Sequence, residues 1–252
     1  MQYHLDTIPV WEAMEADGSC PLCALREKCE REETERSLGG SVMEPDVRVQ
    51  VNDRGFCLRH HQQLFKLQNR LGHALLTDSH AKEQLKKLEK LNNGFARRPP
   101  SKRGLLGRGH DLEPLAAGLE ALASGCVICD AVERHMARYR YTLLYLWKSD
   151  AAFREKWEAS EGVCVPHAAE LARQAQKQLS AARGQAFAAS VTALLSRSLA
   201  QEEKDLEWFT LKFDYRNHDK PWGNSKNALE RTISRLRGRL AEGGDAARPS
   251  GS

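Results

Sequence analysis

The sequence predicts an all-α protein made of a duplicated helical unit followed by a C-terminal helical strap. Two observations lead to this prediction. Apolar residues recur at three- and four-residue spacing through most of the chain, which is typical of amphipathic helices. In addition, one arrangement of cysteine and histidine residues occurs twice, which indicates an internal repeat. Strand-like alternation is limited to the short stretch Val47, Val49 and Val51.

In the first half, the leucines from Leu64 to Leu75 follow helical spacing, and those from Leu85 to Leu91 resume it after a polar gap. This pattern predicts one long helix or a broken pair, ended by Asn92, Asn93 and Gly94. Residues 1–94 are therefore expected to form the first helical repeat. Residues 95–109 are rich in Gly, Pro, Lys and Arg and predict a basic flexible linker.

The second half continues the helical pattern. Residues 110–200 are expected to form the second repeat, 201–240 an aromatic strap and helix, and 241–252 a disordered tail. The predicted helices are Leu112 to Ala123, Val127 to Lys148, one containing Leu171, Ala181 to Ala200, Glu202 to Phe213, and Ser225 to Leu240 capped by Asn224 or Ser225.

Composition narrows the class of protein. A hydrophobic share of 41%, a charged share of 29% and a mean hydropathy of -0.59 are ordinary for a soluble globular chain. No apolar run approaches a membrane span, and the N-terminus has no signal-peptide pattern. We therefore expect a cytoplasmic protein without a membrane partner, in which disulfides are disfavoured. The net charge of +4 names no partner by itself.

The repeat is clearest at the cysteines. Each copy holds a CxxC pair and, at spacings that differ by one residue between copies, a CxxH pair preceded by a glycine. The eight residues of these pairs are Cys20, Cys23, Cys57, His60, Cys126, Cys129, Cys164 and His167. Two residues between ligands let both side chains of a tight turn reach one ion, and two such pairs complete a tetrahedral Cys3His shell. The sequence thus predicts two Cys3His zinc knuckles, with two zinc ions per chain.

The sequence leaves the metal, the pairing of the ligands and the role of the two sites open. The same ligand types could hold an iron–sulfur cluster. Each CxxC could share its ion with the CxxH of its own copy or of the other copy. Four protein ligands per site leave no open position, which favours structural over catalytic zinc, and the sequence shows no nucleophile elbow or phosphate loop. The pattern therefore leans against an enzyme, and catalytic residues are unknown.

Other candidate ligands are weaker. Cys29 and His135 occupy matching positions, six residues after Cys23 and Cys129. Six helical residues rotate a side chain by about 240°, so both are expected to point away from the metal. His61, His73 and His80 are interpreted as helix-surface residues rather than ligands.

The second unusual segment is the strap, residues 213–223, where aromatic and charged residues alternate. One interpretation is that its rings dock onto the helical body. The other is a ligand or partner surface with Tyr215 and Trp222 as anchors and Arg216 as an anion hook.

The two modules and the FDYRN and PWGN segments together resemble an uncharacterised bacterial family of unknown function over nearly the whole chain. The resemblance implies metal binding by the eight residues and places Phe213 to Arg216 and Pro221 to Gly223 in the family pattern. It implies no activity. The second module departs from the first, with GVC in place of GFC, and Val47 to Val51 stands where the other copy has Phe153 and Trp157.

Three functions fit this pattern. The preferred hypothesis is a zinc-stabilised interaction or scaffold protein with a protein partner. The second is a nucleic-acid-binding regulator that uses the knuckles and the basic linker, with Arg97, Arg98, Lys102, Arg103 and Arg108. The third is an iron–sulfur or redox-sensing thiolate protein. Oligomeric state is not predicted by the sequence.

Overall fold

The computed structural model describes residues 3–16, 20–96 and 111–239, and within these ranges the chain is helical and contains no strand. The α-helices are α1 (Tyr3–Glu15), α2 (Pro21–Leu38), α3 (Pro45–Arg54), α4 (Leu58–Lys66), α5 (Arg70–Ala96), α6 (Glu113–Ala123), α7 (Val127–Ser149), α8 (Ala151–Ala159), α9 (Val165–Gln178), α10 (Ala181–Leu211) and α11 (Ala228–Arg237). Short 3-10 turns cover Gly40–Met43, Tyr215–Asn217 and Gly223–Ser225. The predicted all-α class is confirmed.

The chain forms two compact units. Unit 1 comprises Met1–Glu27 and Met136–Ser252, and unit 2 comprises Lys28–His135. Helices α2 and α7 each contribute residues to both units. The units therefore follow a different division from the predicted repeats, 1–94 and 110–200, which stay a prediction about how the sequence is duplicated.

The core of unit 1 is aromatic. Trp157, Phe153 and Phe187 are almost completely buried. Phe153 meets Trp11 edge to face at 5.1 Å between ring centroids, and Trp157 stacks on Phe187 at 5.8 Å. Burial of each such ring contributes about 1.5–3 kcal/mol, and these contacts join α1, α8 and α10.

The core of unit 2 is smaller and aliphatic. Helix α3 packs on α5, and the buried residues in this region include Val51, Leu64 and Leu76. Helix α3 occupies the place that α8 holds in the second copy, but it presents valines where α8 presents Phe153 and Trp157. The two halves therefore differ in the side chains that fill their cores.

Several predicted boundaries change. Gly94 was expected to end a helix but lies inside α5, which continues to Ala96, since an isolated glycine costs a helix only about 1 kcal/mol. The helix is broken after Lys66, inside the first run of leucines, with Gln68 at φ 63°, whereas α5 continues without a break through the polar gap between Leu75 and Leu85. The predicted helices Ala181 to Ala200 and Glu202 to Phe213 are one helix, α10.

The last helix begins later than predicted. Asn227 occupies the position before α11, because residues 223–225 form a 3-10 turn in which the Ser225 hydroxyl donates to the Trp222 carbonyl. Asn224 and Ser225 therefore do not cap α11. The predicted basic linker lies almost wholly outside the described residues, and so does the predicted tail.

Among the described residues, no single helix is long and apolar enough to cross a membrane. The pair α6 and α7, bent by 74° at the break between them, would pass such a test by length and composition only.

Candidate metal centres

The eight predicted ligands lie in two groups of four, and within each group the ligand atoms are all within 4.8 Å of one another. Site 1 is Cys20, Cys23, Cys164 and His167, and site 2 is Cys57, His60, Cys126 and Cys129. Each CxxC thus meets the CxxH of the other copy, one of the two pairings that the sequence left open. Site 1 lies within unit 1 and site 2 within unit 2.

All eight ligands lie at the N-terminal ends of helices. Cys57 and Cys164 are extended residues directly before α4 and α9, and the histidine follows three residues later in the first turn. Cys20 and Cys126 directly precede α2 and α7, whose first turns carry the second cysteine of each pair. The positive end of a helix dipole favours thiolate over thiol, so this placement prepares the cysteines to bind a cation.

Glycines at three of the turns have backbone angles that residues with a side chain rarely adopt. Gly55 and Gly162, two residues before the CxxH cysteines, have φ of 60° and 77°, and Gly125 before Cys126 has φ of 105°. A Cβ on Gly125 would also lie 2.8 Å from the Arg54 carbonyl oxygen. These positions explain the glycines in the repeated pattern. The remaining predicted glycine, Gly18, lies outside the described residues.

The spacing of the ligand atoms fits a single tetrahedral ion. His167 Nδ1 lies 3.1 Å from Cys164 Sγ and 3.4 Å from each of Cys20 Sγ and Cys23 Sγ. His60 Nδ1 lies 3.1–3.4 Å from its three sulfurs in site 2. Zinc bonded at its usual distances to sulfur and nitrogen separates S from N by about 3.5 Å and S from S by about 3.8 Å.

Sulfur–sulfur distances agree with the same tetrahedron. Cys23 Sγ and Cys164 Sγ are 3.7 Å apart in site 1, and Cys57 Sγ and Cys129 Sγ are 3.9 Å apart in site 2. In both sites the imidazole faces the sulfurs through Nδ1. Both groups could therefore hold one ion with three sulfurs and one nitrogen.

The pKa values of the site 1 ligands are shifted in opposite directions. Burial raises the pKa of Cys20 well above its ordinary value of 9.0, whereas hydrogen bonds with Cys164 and Cys20 lower the pKa of Cys23. Burial disfavours protonation of His167, but its hydrogen bond with Cys164 raises its pKa to about 9. A bound cation would replace the protons on these ligands and balance the negative charge of the three thiolates.

Site 2 has a carboxylate behind its histidine. Glu30 Oε1 lies 2.9 Å from His60 Nε2, and Glu30 is paired with Arg59 at 2.5 Å. Burial opposes protonation of His60, but hydrogen bonds with Cys126 and Glu30 raise its pKa to about 10. A carboxylate in this position fixes the ring and increases the basicity of its metal-binding nitrogen.

Sequence reasoning missed Glu30. It follows Cys23 by seven residues, and the matching residue in the second copy is Met136, which is fully buried and has no carboxylate. This difference between the copies was visible in the sequence. That Glu30 lies on His60 became clear only from the structure, in which the helix that carries Cys23 of site 1 also contacts the histidine of site 2.

Exposure separates the two sites. In site 1 all four ligands are buried, whereas in site 2 Cys57 is half-buried and Cys129 is exposed. Site 1 receives a further hydrogen bond from the Arg239 backbone N–H to Cys23. Although the residue is exposed, partial desolvation of its sulfur together with the neighbouring Cys126 and Cys57 raises the pKa of Cys129 to about 12, so its thiolate form depends on a bound cation.

The additional candidates stay outside both groups. Cys29 is buried, and His135 Nε2 lies 3.1 Å from Glu33 Oε1. The prediction of a surface position was wrong for His73, which is 4% exposed, because its ring packs between His61 and Phe65. His61 Nδ1 and His73 Nε2 are 2.7 Å apart.

The aromatic residues of the strap differ in their exposure. Tyr215 is 87% exposed, whereas Trp222 is half-buried against Phe209 and Phe213. Arg216 is exposed and paired with Asp214 at 2.6 Å, and its role as an anion hook stays a prediction.

A buried lysine that the sequence did not single out organises the strap. Lys212 Nζ donates to the backbone carbonyls of Asn217, His218 and Lys220, and it lies 5.2 Å from the Trp222 ring centroid. These contacts close residues 212–222 into a loop around one ammonium group.

The family model DUF6062, described as a family of unknown function, matches residues 1–243. The chain belongs to this family. No curated protein and no solved structure matches the chain. The family carries no established activity, so the chemistry of the two sites has to support any function.

Proposed function

We propose that this protein is a zinc-binding helical scaffold in which two Cys3His sites hold the fold and exposed helical surfaces bind protein partners. The single observation that carries the proposal is the crossed pairing of the ligands. It makes each ion a link between distant parts of the chain.

The lengths of the closed loops support a structural role. Cys20 and His167 are 147 residues apart in sequence, and His60 and Cys126 are 66 apart. Closing loops of this length restricts the unfolded chain, and the loss of entropy grows with loop length. A structural zinc contributes on the order of 10 kcal/mol at neutral pH, which is comparable to the whole stability of a domain.

The compact ligand spacing favours one ion per site over an iron–sulfur cluster. In a cluster, cysteines bound to different irons are held apart by the cluster itself, whereas here all ligand atoms of a site lie within 4.8 Å of one another. Three thiolates and one imidazole in tetrahedral arrangement are typical of structural zinc. Four protein ligands also fill the coordination shell, which is why we place the function on surfaces and not on the ions.

The other two hypotheses receive unequal support. The nucleic-acid hypothesis depends on the five basic linker residues, which lie outside the described part of the chain. The redox hypothesis gains one observation, the exposure of Cys129 in site 2. We therefore keep oxidant sensitivity as a secondary property of site 2 and exclude it from the main proposal.

The proposal is tested by removing the metal. Protein purified under reducing conditions is treated with a strong chelator, and its helical circular dichroism and thermal midpoint are measured before and after. We expect loss of the cooperative transition, and restoration when zinc is added back. An unchanged helical signal and midpoint after complete metal removal would contradict the structural role.

A further inference from the structure

Helix α5 has one face that is exposed among the described residues of unit 2. Its inner face is formed by residues such as His73 and Leu76, which are buried. On the other side Leu71 is 72% and Leu85 57% exposed, and Leu75 and Leu88 are also exposed. Single exposed leucines are normal on a surface helix, but four along one helix form an apolar patch of the kind that marks an interaction site.

These leucines belong to one seam. Leu71, Asp78 and Leu85 are separated by seven residues each, and the exposed Leu75 and Lys82 follow Leu71 and Asp78 by four residues. This is the a and d pattern of a two-helix coiled coil, continued over about 21 Å of helix. Ala74 and Ala81 lie beside these positions, and their small side chains allow a second helix to approach closely. The seam will be called the α5 seam, residues 71–88.

The charges in the α5 seam are arranged so that the seam of one copy is complementary to the seam of a second copy. Asp78 and Lys82 form an exposed pair at 2.7 Å in the middle of the seam. Residue 80 is the midpoint of this pair and also the midpoint of Leu75 and Leu85, and Leu71 and Leu88 lie almost equally far on either side. A two-fold axis through residue 80 therefore places opposite charges face to face and leucine against leucine.

From this symmetry we infer that the α5 seam binds a second copy of the chain, with the two helices antiparallel. Asp78 of each copy then faces Lys82 of the other, and Leu75 faces Leu85. An isologous contact of this kind requires a patch that is complementary to itself, and a parallel arrangement would bring like charges together. A partner of different sequence would not require the symmetry that the seam shows.

The inference supplies one partner for the interaction role in the proposed function, and it concerns a surface distinct from both metal sites. Each sample in the test below is therefore also assayed for zinc. Loss of dimer with two zinc ions retained would contradict only the inference, whereas absence of zinc in a dimeric sample would contradict only the proposed function.

The test uses the full chain and two charge reversals. Sedimentation of the wild-type protein up to about 100 µM should show a species of twice the 28.3 kDa chain mass, a range that detects a micromolar Kd. Asp78→Lys gives a seam with only positive central charges, and Lys82→Asp gives one with only negative charges. Each variant alone should dimerise at least about tenfold more weakly. An equimolar mixture of the two should recover the dimer, because the opposite charges then face each other.

Lys90→Asp is the matched control, since it makes the same charge change on α5 outside the seam and should leave the dimer intact. All three positions are exposed, and unchanged circular dichroism will show that the variants fold. A monomeric wild type over the whole range overturns the inference. So does a dimer that ignores both reversals, or a mixture of the two variants that stays monomeric.

Discussion

Sites 1 and 2 have the same ligand types and the same crossed pairing, but they differ in their surroundings. All four ligands of site 1 are buried in a unit with an aromatic core, whereas site 2 has one exposed cysteine in a unit with an aliphatic core. Site 2 in turn has Glu30 behind its histidine. The comparison shows how a duplicated motif can retain its coordination chemistry while the copies diverge in access and in the groups around the ion.

The largest expected effect follows from removing a ligand of site 1. In Cys164→Ser the remaining buried thiols would lose their ion, and since the lost metal free energy is comparable to the stability of a domain, we expect no cooperative thermal transition. Cys57→Ser should leave unit 1 folded with one zinc ion and a lower thermal midpoint. Thermal circular dichroism with zinc analysis distinguishes the two results.

Cys29→Ala is the control, because Cys29 is equally buried but outside both sites. It should keep two zinc ions and lose about 1 kcal/mol, as expected for a small change in a core. Equal behaviour of Cys164→Ser and Cys57→Ser would contradict the division between the sites.

The second largest expected difference between the two sites is the access of reagents to their ligands. With limited alkylating reagent, Cys129 should react first and zinc should leave site 2 before site 1, because Cys129 is the one exposed ligand among the eight. Mass spectrometry of the labelled peptides and a zinc-sensitive dye, followed together, measure both. Release of both ions in a single phase, or first labelling of Cys20 or Cys164, would refute the expected order.

The carboxylate behind His60 should affect only site 2. Glu30→Gln removes the charge that orients the ring, and we expect zinc affinity at site 2 to fall about 10–100-fold while site 1 is unchanged. Competition with a chelator of known affinity measures each step. Glu33→Gln, on the same helix and paired with His135, is the control and should change neither affinity. A drop at site 1 would show that Glu30 acts through the general stability of the fold.

The smallest effects concern the glycines before the CxxH pairs. Gly55→Ala and Gly162→Ala should each cost about 1–3 kcal/mol from backbone strain alone, because both residues have positive φ. Gly162→Ala should cost more, because its Cβ would meet the Cβ of Leu194 at 2.9 Å, whereas at Gly55 the neighbour is the far end of the His80 side chain. Denaturant unfolding ranks the pair. Gly184→Ala, in an open part of α10, should be neutral or slightly stabilising. The reverse ranking would mean that His80 cannot move.

Much of the fold and of the sites was predictable because it depends on local pattern. The helical periodicity gave the class, and the repeated CxxC and CxxH pairs gave the eight residues that the structure groups. The pairing was not predictable, since ligands three residues apart reveal nothing about which distant pair completes the shell. Glu30 and Lys212 were missed for the same reason, because their roles depend on partners brought close only by tertiary packing.

The end of α5 shows a different limit. Gly94 has a strong local preference to end a helix, yet α5 continues past it. Local preferences of about 1 kcal/mol are easily overridden by the surrounding helix. The symmetry of the α5 seam, in contrast, is fully present in the sequence, but it becomes a sign of a partner only when the structure shows that this face is exposed.

The central claim is that each crossed Cys3His group holds one zinc ion, and metal analysis combined with X-ray absorption on the purified protein tests it most directly. The account predicts two zinc ions per chain, each with three sulfur ligands at about 2.3 Å and one nitrogen at about 2.0 Å. Iron with inorganic sulfide, or fewer than two metal ions in protein that is fully folded, would contradict it.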